Sequence, residues 1–294
     1  MHRQLLAVTI CFLIVSSDCF AQELGPSIFG PTPKKPFIIN IPFSVPPELT
    51  PVTEDELAKQ IGSMLTEMPT TREFLSGSYP IEFRNYERPL GTVAGETVLI
   101  ASLGTRGTKN TYRELAQRGL PLIKILQIMA LQYLPVIAHE LQHAHSMPYL
   151  KGEHFTVPPE EEEISAYITL FAVDQETRQR YPEAFLYSTT LLREMAISDD
   201  GISLFDFWEN DGVEGIRAYL RSKSSYWYLR PIDQWSKEQF PFLGEYQAYY
   251  KVQLCHGWKL WCDQFPKQCL KHYEQINTCK NLGLPFIIEI PGNR

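Results

Sequence analysis

From Leu122 onward the apolar residues Ile123, Leu126, Met129, Ala130 and Leu134 recur at three- and four-residue intervals, which predicts a long helix with Pro121 as its first residue. Pro135 removes a ladder hydrogen bond, so the same pattern predicts a kink or a fresh helix start there. Val136-Ile137-Ala138 then forms an apolar lead-in that buries the following turn. Upstream, Thr53 and Glu56 form a capping-box pattern ahead of an amphipathic stretch ending near Met68-Pro69, and Thr70 with Glu73 repeats it for a shorter helix. Two strand-like runs follow, Ile81 to Tyr86 and Thr92 to Leu103, the second interrupted at Ala94-Gly95. A short helix, Tyr112 to Arg118, is closed by Gly119.

Beyond Met147-Pro148 the chain is expected to loop through Lys151-Gly152, and Pro158-Pro159 starts another helix. Glu160 to Glu162 lie in its first turn, where carboxylates favour the positive end of the helix dipole, a role that requires no metal. Residues 181–280 read as mostly helical, with loops at Ser198-Asp199-Asp200-Gly201 and Asn210-Asp211-Gly212. From Glu23 to Pro51 the chain carries eight prolines, which deny it helix and most sheet pairing and leave an extended leader. Within that leader, Phe37 to Ile41 can form one docked strand. The fold class predicted is α+β, predominantly α. Its expected parts are a proline-rich leader over 22–52, a main domain over 53–250 and a cysteine-rich helical tail over 251–294.

The first residues change the picture of where this chain works. Met1-His2-Arg3-Gln4, an apolar run from Leu5 to Val15 and a small residue at Ala21 have the parts of a secretory signal peptide over 1–21, cleaved after Ala21. The run is shorter than the roughly 20 residues of a spanning helix, so export is expected, to a secreted or periplasmic location, without stable membrane insertion. A lipoprotein reading of Cys19 fits poorly, because Asp18 stands where a small residue is expected. The four cysteines after the cut, Cys255, Cys262, Cys269 and Cys279, predict two disulfides in one of three pairings. A second zinc site is the rival reading, but these spacings contain no CxxC pair. A formal net charge of −7 with scattered basic residues gives no sign of nucleic-acid binding.

The chemistry is concentrated in His139-Glu140-Leu141-Gln142-His143. Residues i and i+4 of a helix differ by only about 40° around its axis, so both imidazoles can bind one zinc ion. Residue i+1 points about 100° away. Glu140 therefore stands beside the metal rather than on it, as suits a general base acting on an activated water. A catalytic zinc site needs a third protein ligand and an open position. A metzincin would place a glycine three and a histidine six residues after His143, but Ser146 and Tyr149 stand there. Third-ligand duty thus passes to the acidic run Glu160 to Glu163.

Glu163-Ile164-Ser165-Ala166 matches a glutamate followed three residues later by alanine, and with the HExxH run the chain resembles the gluzincin class of zinc metallopeptidases over roughly 97–174. The resemblance implies a zincin-like catalytic domain and a Zn2+ cofactor held by His139, His143 and Glu163, with Glu162 the competitor for the third place. It also implies Glu140 as the catalytic base, a peptide or protein substrate, and hydrolysis without a covalent intermediate. A strand before the metal helix offers its edge to substrate in such enzymes, and Val98 to Ala101 is placed either for that or as an ordinary core strand. Tyr149, His154, Tyr167, Tyr226, Tyr228 and Arg230 are the candidates for steadying the tetrahedral intermediate. His145 faces another side of the helix and His154 reads as solvated, whereas His256 and His272 read as structural. The alternative is a secreted binding or scaffold protein with a non-catalytic HExxH helix.

Overall fold

The computed structural model describes residues 53–75, 81–84, 91–94, 97–101, 106–150, 160–183, 196–227, 229–238 and 243–282. The signal sequence, the proline-rich leader, Pro158-Pro159, His154 and Tyr228 lie outside the described residues. Among those described the structure is mostly helical, and its order follows the hydrophobic pattern of the chain. Helix α1 (Glu54–Glu67) begins at Thr53, whose side chain accepts from the Glu56 amide while the Glu56 carboxylate accepts from the Thr53 amide. That reciprocal pair satisfies two donors a helix start otherwise leaves open. Helix α2 (Pro69–Leu75) starts two residues earlier than the second capping pattern implies. Thr70 lies inside it, and its amide and hydroxyl donate to Glu176, 106 residues away, at 3.2 and 2.5 Å. A distant carboxylate thus takes up the donors that a local cap was expected to hold.

Strands β1 (Ile81–Arg84), β2 (Gly91–Ala94) and β3 (Thr97–Ala101) pair in the order β1-β3-β2. β1 runs parallel to β3 with Ile81 opposite Val98, and β2 runs antiparallel to it with Val93 opposite Val98. Because β3 is the middle strand, both its edges are taken by neighbours. Of the two readings of Val98 to Ala101, an edge offered to substrate and an ordinary core strand, the pairing supports the second.

Helix α3 (Arg106–Gln117) starts six residues before the expected Tyr112 and ends at Gly119, whose φ of +73° suits glycine. Helix α4 (Leu122–Leu150) is one continuous element of 29 residues. Pro121 stands just outside it, its carbonyl accepting from the amides of Lys124 and Ile125 at 2.9 and 3.0 Å. Pro135 starts no new helix, and Pro148 is also carried inside the element. Deep burial on both sides of position 135 explains the first result: Tyr133, Leu134, Ile137 and Ala138 are all at most 2% exposed. Packing of this depth offsets the loss of one ladder bond.

Helix α5 (Glu160–Arg180) lies against α4 in the most extensive helix pairing among the described residues. Helix α6 (Leu204–Arg221) follows a turn closed by Gly201 at φ +80°. The loop expected at Asn210-Asp211-Gly212 is instead a break inside α6, where Gly212 takes φ +57° and ψ −126° against the Trp261 ring. Helix α7 (Leu243–Gln264) crosses α5 at Gly257, where an added Cβ would meet Ile168 Cδ1 at 2.5 Å. It runs without interruption across positions 250 and 251. Short helices α8 (Pro266–Cys269) and α9 (Tyr273–Asn281) complete the described chain.

Two disulfides, Cys255–Cys279 and Cys262–Cys269, tie α7 to α8 and α9. They select one of the three possible pairings and remove the reading of these four thiols as a second zinc site. The His272 ring packs between Trp258 and Trp261, in keeping with a structural role.

Two hydrophobic clusters flank the α4–α5 seam. One is largely aliphatic and joins α1, α3 and the first half of α4. The other joins α5, α6 and the disulfide-linked helices, and carries Tyr167, Phe171, Trp208, Tyr219, Trp258 and Trp261.

Candidate metal centre

Polar residues are concentrated where α4 and α5 meet, and they are as buried as the core around them. His139, Glu140, Gln142, His143 and Ser146 on α4 are at most 2% exposed, and Glu160 to Glu163 on α5 at most 5%. Burying so many polar groups is costly unless each finds a partner or an ion. The partners show how the acidic run is divided.

Successive residues of a helix point about 100° apart, so four glutamates in a row face four directions. Glu160 accepts from Arg217 at 2.6 Å and from Arg221 at 2.7 and 2.9 Å. Glu161 lies 3.5 Å from the same Arg217, which also donates to the Tyr250 hydroxyl at 3.2 Å. Glu162 Oε2 is 2.5 Å from Nδ1 of His143. Glu163 turns to the other edge of the imidazoles, with Oε2 3.6 Å from Nε2 of His139 and Oε1 3.8 Å from Nε2 of His143. The capping interpretation of this run is incomplete: these carboxylates sit at a helix start, yet each is also aimed at a named side chain on another element.

The Nε2 atoms of His139 and His143 are only 2.9 Å apart. With Glu163 they form a buried group whose ligand atoms lie within 4.8 Å of one another and can hold a metal ion. The imidazole nitrogens are 2.9 Å apart, and each faces a different Glu163 oxygen, Oε2 at 3.6 Å from His139 and Oε1 at 3.8 Å from His143, distances near the about 3.4 Å between ligand atoms of a tetrahedral ion with bonds near 2.0–2.2 Å. Both carboxylate oxygens of Glu163 and Oε1 of Glu140 are buried without a hydrogen-bond partner. Unpaired buried acceptors facing convergent imidazole nitrogens are what a cation would satisfy.

Without an ion the group's electrostatics are strongly displaced from ordinary values. Burial pushes Glu140 up to about 8 and Glu163 up to about 7, each opposed by the His143 cation. His139 is held well below the usual histidine range by burial and by the neighbouring His143 charge. Burial alone would also lower His143, but the carboxylates of Glu162 and Glu163 outweigh it and raise it to about 10.

Helix α4 is fixed in rotation by a residue that the HExxH pattern leaves unspecified. The Gln142 amide donates to the Tyr249 hydroxyl at 2.7 Å and to Ser146 Oγ at 3.0 Å, and its carbonyl accepts from Thr169 Oγ1 at 3.1 Å. One side chain thus links α4, α5 and α7. The His139 ring also meets Tyr167 edge-on at 4.5 Å, and the Tyr167 hydroxyl is 2.8 Å from that of Tyr226.

Of the residues named as possible stabilisers, Tyr167 and Tyr226 are brought together beside His139, whereas Arg230 stacks over Trp235 at 5.2 Å. The Tyr149 side chain lies outside the described residues. His145 is half-buried and faces Tyr249, away from the Nε2 group. The Arg217–Arg221 clamp and the Gln142 cross-link carry no sequence motif. Only the periodicity of α6 and α7 could have placed Arg217 and Tyr250 on inward faces.

No family model matches this chain, and no curated protein and no solved structure matches it.

Proposed function

We propose that this chain is an exported, zinc-dependent peptidase of the gluzincin kind, with a zincin-like catalytic domain. The observation that carries this reading is the convergence of His139 Nε2, His143 Nε2 and a Glu163 carboxylate without hydrogen-bond partners, on two packed helices. Two imidazoles and one carboxylate are a ligand set typical of catalytic zinc, and leave a fourth position for water or substrate. When bound, zinc supplies Lewis-acid polarisation of a carbonyl and lowers the pKa of a water to about 7.

The protein's own contribution is arrangement and proton transfer. Glu140 lies on the metal helix but outside the ligand set, and its Oε1 is buried without a hydrogen-bond partner. That oxygen takes the proton of the attacking water and returns it to the departing amine nitrogen. The walls of the seam exclude bulk water, which strengthens every charge interaction inside.

The test is zinc content and peptide hydrolysis measured together on the purified chain. About one zinc per chain, lost in His143→Ala and in Glu163→Ala, with hydrolysis lost but zinc retained in Glu140→Gln, is the expected result. Hydrolysis that survives Glu140→Gln would remove Glu140 as the base.

One observation favours a second reading, a secreted binding or scaffold protein with a non-catalytic HExxH helix. His139, Glu140, His143 and Glu163 are all between 0 and 2% exposed, and a closed centre suits a structural ion. Zinc that stabilises the fold while no peptide is cut would decide for it.

A further inference from the structure

We propose that Glu162 is a positioning residue for the metal centre: its Oε2 accepts a hydrogen bond from Nδ1–H of His143 and holds that imidazole with its Nε2 lone pair facing His139 and Glu163. The inference rests on the metal-site reading above and assigns different work to adjacent, chemically identical side chains.

Three observations carry it. The first is the contact itself, 2.5 Å between Glu162 Oε2 and His143 Nδ1, which brings the carboxylate directly onto that ring nitrogen. The second is that the ring's other nitrogen, Nε2, is the one that meets His139 at 2.9 Å and Glu163 at 3.8 Å. Nδ1 and Nε2 lie on opposite edges of the ring, so a carboxylate on Nδ1 cannot reach an ion held at Nε2 without leaving its place. Glu162 is therefore not an alternative ligand but the partner that fixes the tautomer. The third is burial: Glu162 is fully buried and His143 is 2% exposed, so no water competes for Nδ1–H.

Charge balance supplies the reason for a carboxylate here rather than a carbonyl. Two neutral imidazoles, the Glu163 carboxylate and a divalent cation sum to one positive charge, in a place where uncompensated charge is expensive. The buried carboxylates of Glu140 and Glu162 both oppose it, and Glu162, in contact with Nδ1, is the one that makes His143 a more basic ligand. The neighbouring Glu160 already has its own cations, Arg217 and Arg221, so it is not available for this work.

The experiment compares Glu162→Met, which keeps the volume and removes the acceptor, with Glu162→Gln, which keeps an acceptor and removes the charge. Zinc affinity is measured by competition with a chromophoric chelator, and the Nδ1–H proton of His143 by NMR of the zinc-loaded chain. The expected result is about a 10–100-fold loss of zinc affinity in Glu162→Met and a smaller loss in Glu162→Gln. A downfield Nδ1–H resonance should be present in the parent, weakened in Glu162→Gln and gone in Glu162→Met.

Unchanged affinity in Glu162→Met, or an equal loss in both variants, overturns the proposal. So does complete loss of zinc in Glu162→Met with retention in Glu163→Ala, which would make Glu162 the ligand. Should Glu162→Met fail to fold, the Nδ1–H resonance decides from the parent and Glu162→Gln alone, and its absence from the zinc-loaded parent is a refutation. Zinc affinity that follows the expected order without any peptide hydrolysis would sink the peptidase reading and leave this one standing. A parent chain that takes up no zinc overturns both.

Discussion

The two halves of α4 are buried to the same depth by opposite means. Its first half buries Ile125, Ile128, Met129, Leu131 and Leu134 among the aliphatic side chains of α1 and α3. Its second half buries His139, Glu140, Gln142, His143 and Ser146 against the glutamates of α5. For the first half burial is itself a driving force, about 1.5–3 kcal/mol per large apolar side chain. For the second it is a cost, offset by partners brought from α5 and α7 and by the Gln142–Ser146 bond within α4. The lesson is that a helix can be uniformly buried while its stability has two unrelated origins, and each can be removed without the other.

The largest expected effect comes from the apolar half. Ile128→Ala should cost about 2–5 kcal/mol in urea unfolding, by the same amount with and without zinc. A cost that depends on zinc would show that the two halves are coupled. Removal of the Cys255–Cys279 bond, which spans 24 residues, should cost about 3 kcal/mol. The bond ties α9 to α7 behind the aromatic cluster that backs α5, so early loss of protection in the second half of α4 relative to the first, read by hydrogen exchange, is the expected local sign.

Zinc at 100 times its dissociation constant should stabilise the chain by about 2.7 kcal/mol, and by nothing in His143→Ala; thermal unfolding with and without chelator reads this directly. Smallest is Gln142→Ala, which removes the bonds to Tyr249, Ser146 and Thr169 and should cost about 1–2 kcal/mol. No loss there would mean that packing alone fixes the rotation of the second half.

How much of this was legible in the sequence depended on the range of the forces involved. The capping box at Thr53 was readable because all its partners lie within three residues. The second such pattern, at Thr70, failed because Glu176 supplies the acceptor from another helix. Pro135 carried a local signal, a missing donor, but of the kink or fresh start it implied the second does not occur, because α4 continues past it as one element. Asn210-Asp211-Gly212 reads as a turn, and Gly212 does leave helical geometry, yet Trp261 packed against it keeps the break inside α6. For the metal centre, helical phase brought out His139, Glu140 and His143. Phase alone could not separate Glu162 from Glu163, since that distinction depends on how α5 is rotated against α4. Arg217, Arg221 and Gln142 set that rotation from positions that no short motif marks.

The glutamate row of α5 has a consequence for how this stretch of chain can vary. Four identical letters look interchangeable, and a deletion of one would hardly alter the composition. Yet such a deletion would turn the rest of the helix by about 100° relative to what precedes it. Whichever glutamates remained would then face the wrong neighbours, and the sequence GluGluGlu would still read as acidic while its grammar was lost. Substitution within the row changes one word; a change of length there changes the meaning of them all.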